Sequence, residues 1–261
     1  MERHLNRGIK EVISEFPEVG QILEDFEIGC TPCLVGTCLL KDVVEIHALP
    51  PDQEAELMYR VEKAIYPERD VQPPETGAVK GAEKAAEITY SAPVRELVDE
   101  HKLIKRWLSL IPRVVDLMNR SGLDRQLINN GLDFIRSYAD RFHHAKEEDL
   151  LFKYVDESQE IIQAMYSDHI TGRGHVQSIV KGLEQDDMET VREHLFAYRE
   201  LLTGHIKKED EILFPWIDRQ LTAKNIAQLS ADFSGVNAGA GEGFEEKYQV
   251  FVTDLEKLVA M

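Results

Sequence analysis

The stretch HHAKEEDLLF at 143–152 returns in altered form as HIKKEDEILF at 205–214. Each copy sets a His four places before a Glu, with a Lys between them and a Leu-Phe end. Four residues make about one helical turn, so His143 with Glu147, and His205 with Glu209, stand on one face of a helix. Imidazole and carboxylate are both metal donors. Two such pairs, 62 residues apart and set before the same Leu-Phe, read as two halves of one site.

The elements that must bring these halves together follow from periodicity. Residues 1–66 read as short helices around a Cys-bearing turn, and 67–92, with three Pro and no apolar rhythm, as a linker. Helical patterning holds over 93–219, beginning with Pro93 in a first turn and stopping near Pro215. Turns at RSGLD, DESQ and QDDME divide this stretch into four helices, with the Asp of DESQ offered as a cap for the third. Short connections between long helices predict an all-α, up-down antiparallel four-helix bundle, carrying a small helical N-terminal Cys domain. Residues 220–261 read as a flexible segment, SGVNAGAGEGF, followed by a C-terminal helix.

In an antiparallel hairpin, two residues at one height have their sequence midpoint in the turn. His101 and His143 have midpoint 122, His143 and His169 have 156, and His169 and His205 have 187. All three fall in the predicted turns, so one His from each helix lies at one level. His101, His143, His169 and His205 then converge with Glu147 and Glu209 in the core. Two buried carboxylates without partners would be very costly, and a metal removes that cost. Six donors exceed what one tetrahedral zinc takes and suit a pair of ions. The spacing predicts a dinuclear site without choosing its metal.

The other histidines fit this site less well. Aligning the copies on Leu-Phe matches His144 with Ile206, which places His144 beside the ligands or at the surface. His175, six residues after His169, lies about 120° round the helix, and His194 lies roughly 16 Å from the level of His205. Packing or solvent contact is expected for both. His4 and His47 fall outside the bundle.

Three Cys fall together as Cys30, Cys33 and Cys38. Such an odd, clustered set is not a secreted disulfide framework. The cluster could be a redox dithiol, with Cys38 as resolving thiol, a metal or iron–sulfur site, with Cys38 as third ligand and His47 able to complete a zinc site, or three reduced thiols. The net charge of −18 counts against nucleic acid and anionic membranes as partners. No stretch approaches the roughly 20 apolar residues of a membrane helix. The first residues lack the apolar core of a secretion signal, so a cytoplasmic location is expected.

The pieces DEHKLIKR, FHHAKEEDLLF, DHITGR and LTGHIKKEDEILFP, over about 93–219, resemble the hemerythrin-like HHE cation-binding family. The resemblance implies a non-haem di-iron centre with an oxo or hydroxo bridge. His101, His143, His169 and His205 would be terminal ligands, and Glu147 and Glu209 carboxylate bridges. Oxygen-carrying members use a further His on the third helix, where this chain has Arg173, and an Asp five residues after the last His, the position of Asp210. The two His-x-x-x-Glu helices are more similar to the iron–sulfur cluster repair di-iron proteins, which counts against reversible oxygen carriage. Residues 9–66, through FPEVGQILEDFEIGCTPC, resemble the small Cys-containing domain of those repair proteins and of hybrid-cluster proteins. Those proteins place two Cys side by side, unlike the spacing here.

These readings imply a protein that binds or reacts with a small ligand: oxygen, nitric oxide or peroxide. The expected setting is repair of an iron–sulfur client protein or a stress response. Sensing without turnover, and iron storage, are the rival readings. The oligomeric state is not legible.

Overall fold

Prolines open two of the N-terminal helices, where a missing N–H costs nothing. In a computed structural model, which describes residues 1–26, 28, 38–47, 49–74, 89–121 and 125–259, these are α3 (Pro17–Asp25) and α5 (Pro51–Ile65). They pack with α1 (Glu2–Leu5), α2 (Ile9–Glu15) and α4 (Leu40–Ile46) around Val12, Val19, Leu23, Leu40, Leu57 and Val61. The Ile9 amide donates to the Cys38 carbonyl at 2.7 Å, which pins Cys38 beside α2. Cys30 and Cys33 lie outside the described residues, as do 75–88 of the expected linker.

The bundle begins with α6 (Ala92–Ser121), and α7 (Arg125–Asp133) starts the second helix. The second helix continues as π-helix over Phe134–His144 and again over Glu147–Leu151, closing with a 3₁₀ turn at Phe152–Tyr154. The third helix is α8 (Glu160–Glu184) and the fourth is α9 (Met188–Lys208). The fourth passes through a π turn at Glu209–Leu213 into α10 (Phe214–Gln220). Among the described residues there is no strand, so the fold is the expected all-α bundle. The turns around Asp156 and Asp187 stand where expected, while 122–124 fall outside the described residues.

Three local expectations are corrected. Pro215 does not stop the fourth helix: the π turn resets the hydrogen bonding, leaving Pro215 in the first turn of α10. Asp156 does not cap α8, whose N-cap is Gln159; it accepts from the Ser158 amide at 2.9 Å within the turn before it. Much of the expected flexible segment is helical, in α11 (Ala223–Ala240). A reciprocal Thr222–Asn225 capping box starts that helix, and Leu229 and Phe233 bury its face. The break falls at Gly241 and Gly243, whose φ of 94° and 77° favour glycine. Last comes α12 (Phe244–Val259), which buries Tyr248, Val252 and Leu255 against the first two bundle helices.

Both Leu-Phe ends are explained by packing. Leu151, Phe152, Leu213 and Phe214 are fully buried and form, with Leu97, Met165 and Trp216, the apolar floor beneath the histidines. Ile46 of α4 joins this cluster, and Arg219 donates to the Ile46 carbonyl at 3.2 Å, so the N-terminal helices rest against this end of the bundle. No helix among the described residues is long and apolar enough to cross a membrane.

Candidate metal centre

One turn of each bundle helix carries a His that the packing forces inward, and each inward ring is held from behind by a carboxylate. Nδ1 of His143 meets Glu100 at 2.8 Å, that of His169 meets Glu148 at 2.6 Å, that of His205 meets Asp168 at 3.3 Å, and that of His101 meets Asp210 at 2.7 Å. Each of these carboxylates adjoins a predicted ligand in sequence, yet supports the ring on the next helix round the bundle. The supports therefore close into a ring: first helix to second, second to third, third to fourth, fourth to first. A carboxylate on Nδ1 fixes the tautomer, so Nε2 is the donor turned inward.

Cations close the outside of this ring. Lys146 donates to Glu100 at 2.5 Å, Arg173 to Glu148 at 2.8 Å, Lys208 to Asp168 at 2.5 Å, and Lys105 to Asp210. Each cation sits three or four residues after the His that shares its carboxylate, so every carboxylate is clamped between two side chains of one neighbouring helix. Lys146 is itself fully buried, with Glu96 as second acceptor at 2.7 Å and the Phe142 ring 3.8 Å away. Arg173, at the position of the additional His of oxygen carriers, binds Glu148 and Asp140.

Inside the ring the donors fall into two sets. His101 and His143 bring their Nε2 atoms to 2.8 Å, and His169 and His205 theirs to 2.9 Å. Glu147 has Oε1 3.4 Å from His143 Nε2 and Oε2 3.6 Å from His169 Nε2. Glu209 has Oε2 3.3 Å from His101 Nε2 and Oε1 3.1 Å from His205 Nε2. Each carboxylate thus offers one oxygen to each His pair. All four oxygens are buried and lack a hydrogen-bond partner, an arrangement costing several kcal/mol for an uncompensated charge. Donors about 2.1 Å from a shared ion stand about 3.0 Å apart at a right angle and about 3.4 Å at the tetrahedral angle. The observed separations, from 2.8 to 3.6 Å, lie around these values, so the buried His and Glu residues could hold metal ions.

The electrostatics show what a cation would relieve. Burial opposes charge on His143 and His205, but Glu147 with Glu100, and Glu209 with Asp168, outweigh it and push them up to about 10 and about 9. Burial and the neighbouring Glu209 raise Glu147. Burial also opposes charge on Glu209, but His205 and His101 hold it well below the usual carboxylate range. Burial, with His144 and His205, keeps His169 neutral. Protons on His143 and His205 balance the carboxylates, a role that bound cations would take over.

His144 is more central than its alignment with Ile206 implies. It is buried, its ring stacks on His169 with centroids 3.9 Å apart, and it stands with Glu147, His169 and His205 in a group able to hold an ion. The π-helical backbone accounts for this, because its wider turn lets adjacent residues both face inward. Burial pushes His144 down to about 4. Beside it a cavity of about 270 Å³ opens among the second, third and fourth helices, lined by Asp140, His144, His169, Arg173 and Tyr198. The other His pair is covered differently: Phe214 lies flat over His101 at 5.4 Å.

The structure therefore brings His101, His143, Glu147, His169, His205 and Glu209 together. Cys38 is half-buried against the N-terminal core and the bundle floor, apart from these six. His47 is lowered by burial and by the charge of Arg219. The supporting ring escaped the sequence reading, although its trace is there: an acidic residue adjoins one of the six convergent residues on every helix, and a basic residue follows each inward His by three or four places.

Comparison with known proteins places this geometry. Residues 92–217 match the family described as Hemerythrin HHE cation binding domain. The match spans the four-helix bundle and contains all six convergent residues. Together with the buried His and Glu groups, it supports a hemerythrin-like cation-binding domain. Neither the comparison with curated proteins nor that with solved structures gave a match.

Proposed function

We propose that the chain is a non-haem di-iron protein whose centre meets a small ligand, oxygen, nitric oxide or peroxide. The observation that carries this reading is the division of Glu147 and Glu209, one oxygen of each toward each His pair. Iron bound there supplies one-electron chemistry and positions for an incoming ligand. His101, His143, His169 and His205 would hold the ions as terminal donors. Glu100, Glu148, Asp168 and Asp210 fix each ring, and the apolar floor keeps water from below.

The cavity beside His144 and His169 gives this chemistry a direction of approach. A small ligand would arrive at the His169–His205 pair, while Phe214 covers the opposite pair. The N-terminal Cys domain, resting on the floor of the bundle, favours a setting in iron–sulfur cluster repair or stress response, with Cys30, Cys33 and Cys38 passing electrons or iron.

The test is metal analysis and Mössbauer spectroscopy of the full chain after anaerobic iron loading, followed by nitric oxide or peroxide. Two coupled iron ions with repeated turnover support the reading as an enzyme. Two ions that bind nitric oxide once, without turnover, favour a sensor. A single firmly held zinc and no iron pair would overturn it.

A further inference from the structure

Away from the centre, the closest pair of imidazoles belongs to His175 on α8 and His194 on α9. Their Nδ1 atoms stand 2.9 Å apart, with ring centroids at 5.2 Å. That is the spacing of the two His pairs in the centre itself, at 2.8 and 2.9 Å. Both rings are half-buried rather than enclosed. We propose that His175 and His194 form a separate, interhelical site for a divalent transition metal of the copper or nickel class.

Three features carry the proposal. First, the 2.9 Å contact, which a hydrogen bond between the rings also spans, suits neighbouring positions on one ion: two nitrogens about 2.1 Å from a metal stand about 3.0 Å apart at a right angle, against about 3.4 Å at a tetrahedral zinc. Right-angled nitrogen donors suit copper(II) and nickel(II), and the Irving–Williams order favours copper. Second, the rings sit on a rigid frame. On one side, a Cβ on Gly182 would meet Val191 at 2.9 Å and the Asp187 carbonyl at 3.0 Å; on the other, one on Gly172 would meet Leu202 at 3.4 Å. The helices are therefore closely packed on both sides of the pair, which holds the two backbones that carry the rings at a fixed separation. Third, burial and His194 lower the pKa of His175, leaving it a neutral donor at neutral pH. No acidic group completes a set of three here among the described residues, so water would fill the remaining positions.

The test uses the iron-loaded full-length chain and copper(II) alone as probe. Calorimetry at neutral pH should show one further equivalent bound, and the copper EPR signal should carry coupling to two imidazole nitrogens. H175Q and H194Q should each lose that equivalent while keeping the iron content and helical signal of the parent chain. Coupling to two nitrogens in the parent supports the site whether or not a variant folds. No further equivalent in the parent, coupling to fewer than two nitrogens, or unchanged copper binding in well-folded H175Q and H194Q would overturn the proposal. Because iron is read separately, failure here leaves the di-iron reading intact.

Discussion

Asp210 reaches from the fourth helix to the first, placing Oδ1 2.7 Å from Nδ1 of His101, while its neighbour Glu209 turns into the centre. One peptide unit thus delivers a donor and a support to different parts of the site. Asp210→Asn keeps the shape and removes the charge that orients the ring. Metal affinity should fall about 10–100-fold, measured by competition with a chelator, with helical content retained. Unchanged affinity would show that the ring of carboxylates does not act on the metal.

The buried oxygens of Glu147 make a second expectation. Without metal they have no hydrogen-bond partner, and the pKa is raised, so the charge destabilises the fold near neutral pH. Glu147→Gln should stabilise the metal-free chain by about 1–3 kcal/mol in urea titrations and abolish most of the stabilisation conferred by metal. A less stable metal-free variant would contradict this account.

His143 and His144 adjoin in sequence and differ in role. His143→Ala removes half of one pair and should lose much of the iron. His144→Ala should keep it, but widen the cavity over His169 and speed azide binding to the loaded centre. Equal iron loss in the two variants would make His144 a ligand.

The division of the chain gives a fourth expectation. A fragment starting at residue 89 retains α6 to α12 and every convergent residue. It should fold and take up two iron ions, with a lower thermal midpoint because Ile46 is lost from the apolar cluster at the bundle floor. A helical fragment that stays free of iron after reconstitution would show that the N-terminal helices complete the site.

The convergence of the six residues was legible because a helix repeats every turn and an antiparallel hairpin has a midpoint; both rules act within one or two helices. The support of His143 by Glu100 depends on which helices are neighbours around the bundle, which spacing alone does not state. The π-helical turns left no signal in HHAKEEDLLF, and they decide that His144 faces inward. The glycines of SGVNAGA read as a break, but a Cβ on Gly235 or Gly239 would meet nothing within 4 Å. Their smallness is incidental there, and the buried Leu229 and Phe233 set the backbone instead.

The ring of supports has a regular arithmetic. Glu100, His101 and Lys105 recur 68 places on as Asp168, His169 and Arg173; His143, Lys146, Glu147 and Glu148 recur 62 places on as His205, Lys208, Glu209 and Asp210. The chain is in effect a two-fold dimer of hairpins written on one strand. A dimer of identical subunits must keep its halves alike, whereas a covalent one is free to let them diverge. Here the halves differ at His144, opposite Ile206, and that is the side on which the cavity opens.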